Sequence, residues 1–320
     1  MINMKKQIFL APMSGVTDLS FRVMCRKFGA EHCFFEMLDA KSVIYHRPKT
    51  YEMLKTIKKD SPISVQLLGT EPSTMLDAAQ KILTFTKVSS LDINSACPAK
   101  KVIKKGAGAA LLNNPAQLGK IIKKLSSKLK IPVSVKLRTG FYKKNIQDCV
   151  KTAKICQDNG ASVIFIHGRT MSEGYSGDID YESIRAVKNA LSIPVIASGN
   201  IFNVVLAKKM FDQTGSDGIL VARGAMGNPW IFKEIKNYLE TGKIPKPQSL
   251  AAKKKALKEH LGLIEKYKNI PASCKTGFMA KVMMWYLKGV PNATRLREEI
   301  CRVKSYKELL KILSCNRLKT

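Results

Sequence analysis

Eight short apolar runs, separated by stretches of helical spacing, constrain this chain more than any other feature. They cover residues 8–13, 33–37, 63–68, 91–95, 133–137, 163–167, 195–198 and 218–222. Each reads as a continuous apolar run rather than an alternating one. Strands buried on both faces look like this, and they belong to parallel sheets covered by helices. Segments 115–129, 145–159 and 181–191 carry the helical period between them. Gly160 and Gly215 fall at helix ends, where a left-handed cap is wanted. Eight such units predict an α/β fold of the (β/α)8 TIM-barrel type. A doubly wound open sheet is the alternative, but its glycine fingerprint is missing. Gly106 and Gly108 do not directly follow a strand and lack a third glycine at the right spacing.

On this reading residues 1–240 form the barrel. Residues 241–248, with Gly242, Pro245 and Pro247, read as a linker. Beyond them helices are expected at 250–267, 272–287, 292–300 and 305–315, with Met283, Met284, Trp285 and Tyr286 as a small core. Residues 241–320 are therefore a second, helical domain, and charge sets it apart. The chain carries a net +31, from 44 Lys and 11 Arg against 24 acidic residues. Of this, +14 lies in the last 80 residues and +17 in the first 240. So dense a positive charge predicts a polyanionic partner, most often nucleic acid. Arg295 and Arg297 are candidate phosphate contacts there. No run of 18 apolar residues suggests a membrane helix, and the N-terminus does not read as a signal peptide. A cytoplasmic protein is expected. Eight cysteines stand singly, at 25, 33, 97, 149, 156, 274, 301 and 315, without metal-ligand spacing. Reduced thiols, no metal and a monomer are the working expectations.

In a barrel of this kind the active site lies at the C-terminal ends of the strands. Those ends carry Pro12, Met13 and Ser14; Gln66; Asn94 and Cys97; Lys136 and Arg138; His167, Gly168 and Arg169; Ser198, Gly199 and Asn200; and Ala222, Arg223 and Gly224. Pro98 pushes Cys97 away from helical geometry, so the thiol should sit on a fixed, extended loop. Lys100, Lys101, Lys104 and Lys105 follow it closely. The loops after the seventh and eighth strands commonly bind phosphate. Gly199, Asn200, Arg223 and Gly224 suit that task, unless Arg223 pairs with Asp217 or Glu234. A glutamine, a lysine and the Pro-Met-Ser segment would suit the polar edge of a flat heterocycle. Flavin mononucleotide (FMN) fits the combination.

Longer motifs sharpen this. They are Ala11-Pro-Met-Ser-Gly-Val-Thr-Asp18 with Phe21-Arg22, Val65-Gln-Leu-Leu-Gly69, Asp92-Ile-Asn94 through Cys97-Pro-Ala-Lys-Lys101, Val135-Lys-Leu-Arg138, His167-Gly-Arg-Thr170 with Tyr175-Ser-Gly177, and Gly224-Ala-Met-Gly-Asn-Pro-Trp-Ile-Phe232. Together they resemble the tRNA-dihydrouridine synthases, nearest the bacterial B-type branch. The resemblance implies FMN-dependent reduction of uridine to 5,6-dihydrouridine in tRNA, with NADPH as reductant. It assigns the cofactor to Pro12, Met13, Ser14, Gln66, Lys136, His167, Ser198, Gly199, Asn200, Ala222 and Arg223. Cys97 becomes the proton donor. Asn94, Lys100, Lys101, Arg169, Arg295 and Arg297 are expected to meet the tRNA. Four positions depart from the family pattern: Ser95 and Ala96 stand where it has Met-Gly, and Ser198 and Asn200 flank Gly199 where it has Asn-Gly-Asp. The competing readings are a small-molecule FMN oxidoreductase, such as a dihydroorotate dehydrogenase-like enzyme, and a non-catalytic RNA-binding protein.

Overall fold

A computed structural model of the chain describes residues 6–290 and 293–314. Cys315 and the expected start of a helix at Asn292 lie outside the described residues. Eight parallel strands form one closed barrel in sequence order. They are β1 (Gln7–Leu10), β2 (His32–Asp39), β3 (Ile63–Leu68), β4 (Ser90–Asn94), β5 (Val133–Arg138), β6 (Val163–His167), β7 (Val195–Ser198) and β8 (Gly218–Val221). The last strand closes on the first, with Gln7 opposite Gly218 and Leu10 opposite Val221. Closure removes the open-sheet alternative.

The outward residues of every strand, such as Ile8, Val65, Ile93, Val135 and Ile164, pack into one large core beneath the helices. Inward residues split into two kinds. Phe9, Phe34, Phe165, Ile196 and Leu220 fill one side of the interior with apolar groups. On the other side β3, β4 and β5 depart from the continuous apolar pattern expected of them. Ser64 and Gln66, Asp92 and Asn94, and Ser134 and Lys136 alternate with the outward apolar residues and face one another across the register. A buried polar group stays only if it is hydrogen-bonded. His32, Ser64 and Ser90 satisfy one another near the barrel floor. β1 is shorter than its apolar run, because Pro12 has no donor to continue the ladder.

Side-chain caps start several helices. Asp18 accepts from the Phe21 amide, and Asn145, Asp180 and Asn203 do the same for their own helices. The helix Ile231–Thr241 completes the barrel and ends at Gly242 in the left-handed conformation. Four helices follow the irregular stretch 242–249: Leu250–Tyr267, Ala272–Tyr286, Thr294–Arg302 and Tyr306–Ser314. Leu257, Leu261, Met279, Met283, Tyr286 and Ile300 form their core, while Met284 and Trp285 are only partly buried against it. Met24 and Trp230 from the barrel side belong to the same core. Phe21 stacks on His260 at 5.8 Å and meets Trp285 edge-on at 5.7 Å. The helical tail thus shares apolar surface with the barrel. Among the described residues, no helix is long and apolar enough to cross a membrane.

Candidate active site

A cavity of about 800 Å³ opens at the C-terminal ends of the strands. The loop after β1 brings Pro12, Met13 and Ser14 to it; β3 brings Gln66; and β4 with its loop brings Asn94, Cys97, Lys100 and Lys101. Opposite stand Lys136, His167, Ser198, Gly199, Asn200, Ala222 and Arg223. The β1 loop is held by a buried carboxylate. Glu36 accepts from the Gly15 amide, and the Thr17 hydroxyl oxygen accepts from Met13 N–H at 3.0 Å.

Cys97 sits on a loop held through the N–H and C=O groups of Ala96 and of Cys97 itself. The N–H groups of Ala96 and Cys97 both donate to Asn94 Oδ1, at 3.0 and 2.9 Å. Arg138 donates its Nε to the Ala96 carbonyl at 2.7 Å, and its Nη1 reaches the carbonyls of Thr170 and Gly174. One buried guanidinium therefore joins the loops after β4 and β6. The Cys97 carbonyl accepts from Ala109 N–H at 3.1 Å. Gly108 permits that approach, since a Cβ there would lie 2.8 Å from the Cys97 carbonyl oxygen, and its φ is +62°. Ala96 is not among the residues with positive φ, so the methyl that replaces the family's glycine carries no backbone penalty.

Below the loop, Asn94 Nδ2 donates to Gln66 Oε1 at 2.8 Å, and Gln66 Nε2 donates to Asp92 Oδ2 at 2.7 Å. Asn94 thus spends most of its amide on the loop and on Gln66. Lys136 enters the cavity beside this group with no hydrogen-bonding partner among the described residues. Burial pushes its ammonium down to about 8, helped by Arg138 and opposed by Asp92 and Cys97. Burial also pushes the Asp92 carboxyl up to about 6, against the hydrogen bonds from Ser134 and Gln66 and the charge of Lys136.

Across the cavity lies a cationic corner. Burial, then the charges of Lys136, Arg138, Arg169 and Arg223, hold His167 well below its usual value, so it is neutral. Ser198 Oγ donates to the Ile166 carbonyl at 3.1 Å. It therefore accepts from His167 Nδ1 at 3.3 Å, which leaves Nε2 as a buried acceptor without a partner among the described residues. Asn200 holds φ +49°, a left-handed value that asparagine tolerates. A Cβ at Gly224 would run into the Ile201 carbonyl, and one at Gly199 into Ile179. Arg223 pairs with neither Asp217 nor Glu234. Its guanidinium lies over Tyr175 at 4.9 Å and Phe202 at 5.3 Å, while Asp217 pairs with Lys188.

Three expected substrate contacts stand elsewhere. Arg169 is buried and does not line the cavity. Gly168 packs closely on Ile179, since a Cβ there would lie 2.7 Å from Ile179 Cγ2. Arg169 then donates to the Gly177 carbonyl and, at 3.1 Å, to Asn200 Oδ1, with Nη1 left unpartnered. It positions Asn200 instead. Arg297 and Arg295 lie on the tail helix Thr294–Arg302, outside the cavity lining. Arg297 donates to the Leu287 carbonyl at 2.9 Å, and exposed Arg295 sits 3.5 Å from Glu299. The tail reaches the rim through other residues. Lys281 Nζ donates to the Gly15 carbonyl at 2.9 Å, and Lys288 lies 5.5 Å from the Phe202 ring. Lys281 and Lys288 were not legible from sequence, because only the tail's packing brings them to the mouth, and Phe202 was overlooked on the loop after β7. Among the described residues no group of three or more His, Cys, Asp or Glu is placed to hold a metal.

The family profile described as Dihydrouridine synthase (Dus) matches residues 9–319. The chain belongs to the dihydrouridine synthase family. That membership makes it an oxidoreductase. It is 36% identical to tRNA-dihydrouridine synthase B of Pasteurella multocida, over 96% of this chain and 91% of that one. The B protein of Vibrio parahaemolyticus is 41% identical over 75% of this chain and 74% of its own length. A probable tRNA-dihydrouridine synthase 1 of Synechocystis sp. is 34% identical, with coverages of 96% and 85%. Among solved structures, a morphinone reductase mutant in complex with tetrahydroNAD matches with a TM-score of 0.54 at 8% identity, covering 72% of this chain and 86% of that one. Histamine dehydrogenase from Rhizobium sp. 4-9 also gives 0.54, at 11% identity, covering 80% and 49%. Both likenesses concern the barrel fold.

Proposed function

We propose that this member of the family reduces uridine to 5,6-dihydrouridine in tRNA, with FMN as resident cofactor, NADPH as reductant and Cys97 as proton donor. The observation that carries the reading is the fixed Cys97 loop at a cavity that also holds Lys136 and the cationic corner. The residues present fit a phosphorylated flavin. Gly199, Asn200 and Arg223 line the cavity beside His167, whose Nε2 is a buried acceptor without a partner among the described residues. Arg223, Asn200 and Ser198 would hold the phosphate end, and Lys136, Gln66 and the Pro12-Met13-Ser14 segment the ring. Bound and reduced, the flavin supplies a hydride to C6 of the uracil.

The chain's own residues do the rest. Lys136 brings positive charge to the cavity floor, where it stabilises negative charge on the ring. Cys97 Sγ holds a proton and delivers it to C5 of the base. The tied backbone keeps the thiol in one place during that transfer. The target uridine must leave its stack, at a cost of roughly a few kcal/mol. Phosphate contacts from Lys100, Lys101 and the tail offset this, with the salt dependence such contacts bring. We assign residues 1–240 to catalysis and 241–320 to tRNA binding, and place the protein in the cytoplasm with its tRNA. A small-molecule oxidoreductase has no use for Lys281 and Lys288 at the rim, which favours the RNA substrate.

The decisive variant is Cys97→Ala. It is expected to keep flavin, NADPH-driven flavin reduction and tRNA affinity, while dihydrouridine formation falls at least about 100-fold. Unchanged product formation would remove the thiol from the mechanism.

A further inference from the structure

The barrel interior beneath the cavity holds one directional run of side-chain hydrogen bonds. Ser134 Oγ donates to Asp92 Oδ1 at 2.6 Å. Gln66 Nε2 donates to Asp92 Oδ2 at 2.7 Å, and Asn94 Nδ2 donates to Gln66 Oε1 at 2.8 Å. Asn94 Oδ1 then accepts the N–H groups of Ala96 and Cys97. All four side chains are buried, and Asp92 is wholly so. The register of three adjacent strands places them: Gln66 lies opposite Asp92, and Asp92 opposite Ser134.

The direction of this run is forced from both ends. An ionised carboxylate only accepts, so Gln66 must turn its nitrogen towards Asp92. Its oxygen then faces Asn94, which must answer with nitrogen. Backbone N–H groups only donate, so Asn94 must turn its oxygen to the loop. The two ends agree, and each amide has one orientation. Reversing either amide would set donor against donor in buried space, where an unmade hydrogen bond costs most. Arg138 and Ala109 anchor carbonyls of the loop. The N–H groups of Ala96 and Cys97 depend on Asn94.

We propose that Asp92 is the positioning residue for the Cys97 loop, acting through Gln66 and Asn94. This rests on Cys97 being the proton donor of the reaction above. Asp92 touches neither substrate nor cofactor in this account. Its carboxylate decides which way two amides point, and so where the thiol is presented. The required property is an acceptor facing Gln66, with charge secondary. Asparagine at this position can meet it, turning its oxygen to Gln66 and its nitrogen to Ser134 Oγ. Leucine cannot, although its size is similar.

The test uses the full-length protein with its flavin bound. Iodoacetamide labelling of Cys97 is followed peptide by peptide, so that exposed Cys274 and Cys301 do not interfere. In Asp92→Leu the labelling rate is expected to rise about tenfold, the equivalent of one or two lost hydrogen bonds. Dihydrouridine formation should fall about 100-fold, as a displaced reacting group would make it. The KM for tRNA should stay within about threefold of the parent, since that loss belongs to the chemical step. Asp92→Asn should restore both labelling and turnover to within about threefold. If Asp92→Leu does not fold, Asp92→Ala, which cannot clash, gives the same reading. Parent-like labelling and turnover in the leucine or alanine variant would overturn the proposal. So would an asparagine variant as impaired as leucine, because charge would then be the operative property. If the parent makes no dihydrouridine, the functional reading fails, and the labelling order among the variants still judges Asp92.

Discussion

Lys136 is the residue whose chemistry is most exposed to pH. Burial brings its ammonium down to about 8, so its charge is lost within the working range of many enzymes. Turnover is expected to fall as pH rises through about 8, to roughly a tenth of its plateau one unit higher. Stability should move the other way. The folded pKa lies below the unfolded one, so between about 8 and about 10.5 the unfolded chain binds more protons and folding gains as pH rises. Lys136→Met should lower the plateau and flatten the alkaline limb of the pH–rate profile. A limb that survives in the variant would assign it to another group. Cys97 and Lys136 were legible in sequence, since a thiol before proline and a lysine among strand apolars each call for an explanation. The role of Asp92 was not, because it exists only across the register, between Gln66 on one neighbour and Ser134 on the other. The burial of Arg169 away from the cavity was hidden for a related reason. An arginine at a strand end reads as a ligand contact, and only the folded chain shows it buried and donating to Asn200.

At the scale of elements, the number and order of strands followed from eight apolar runs, and the closed barrel from the count of eight strand–helix units. The inward face did not follow. In β3, β4 and β5 serine, glutamine, aspartate and lysine alternate with apolar residues, yet the runs read as apolar because β-branched and leucine residues fill the outward positions. That polar half of the interior is the footing of the site, and the aromatic half opposite is its filler. The register shift in β2 between Phe34 and Met37 was also invisible beforehand. Beside it, Glu36 reaches the Gly15 amide and fixes the β1 loop. The cationic corner was legible as a cluster of glycines and arginines. The stacking of Arg223 on Tyr175 and Phe202 was not, since those rings come from separate loops.

For the whole molecule, charge and packing act together. The tail is densely basic, yet its core includes Met24 and Trp230 from the barrel side. Deleting residues 241–320 would uncover that apolar surface, so truncation cannot separate binding from folding. Surface charge reversal can. Lys288→Glu with Arg295→Glu is expected to weaken tRNA binding and to lower the slope of log affinity against log salt by about 0.9 for each phosphate the variant no longer neutralises. Affinity and slope matching the parent at several salt concentrations would remove the tail from the interface. Beneath all of this lies one claim, that the cavity reduces uridine in tRNA. It is tested most directly by incubating unmodified tRNA with the purified protein and NADPH and mapping dihydrouridine by mass spectrometry. The account predicts a gain of two mass units at defined uridines, abolished in Cys97→Ala. Unmodified tRNA, from protein whose bound flavin NADPH still reduces, would contradict it.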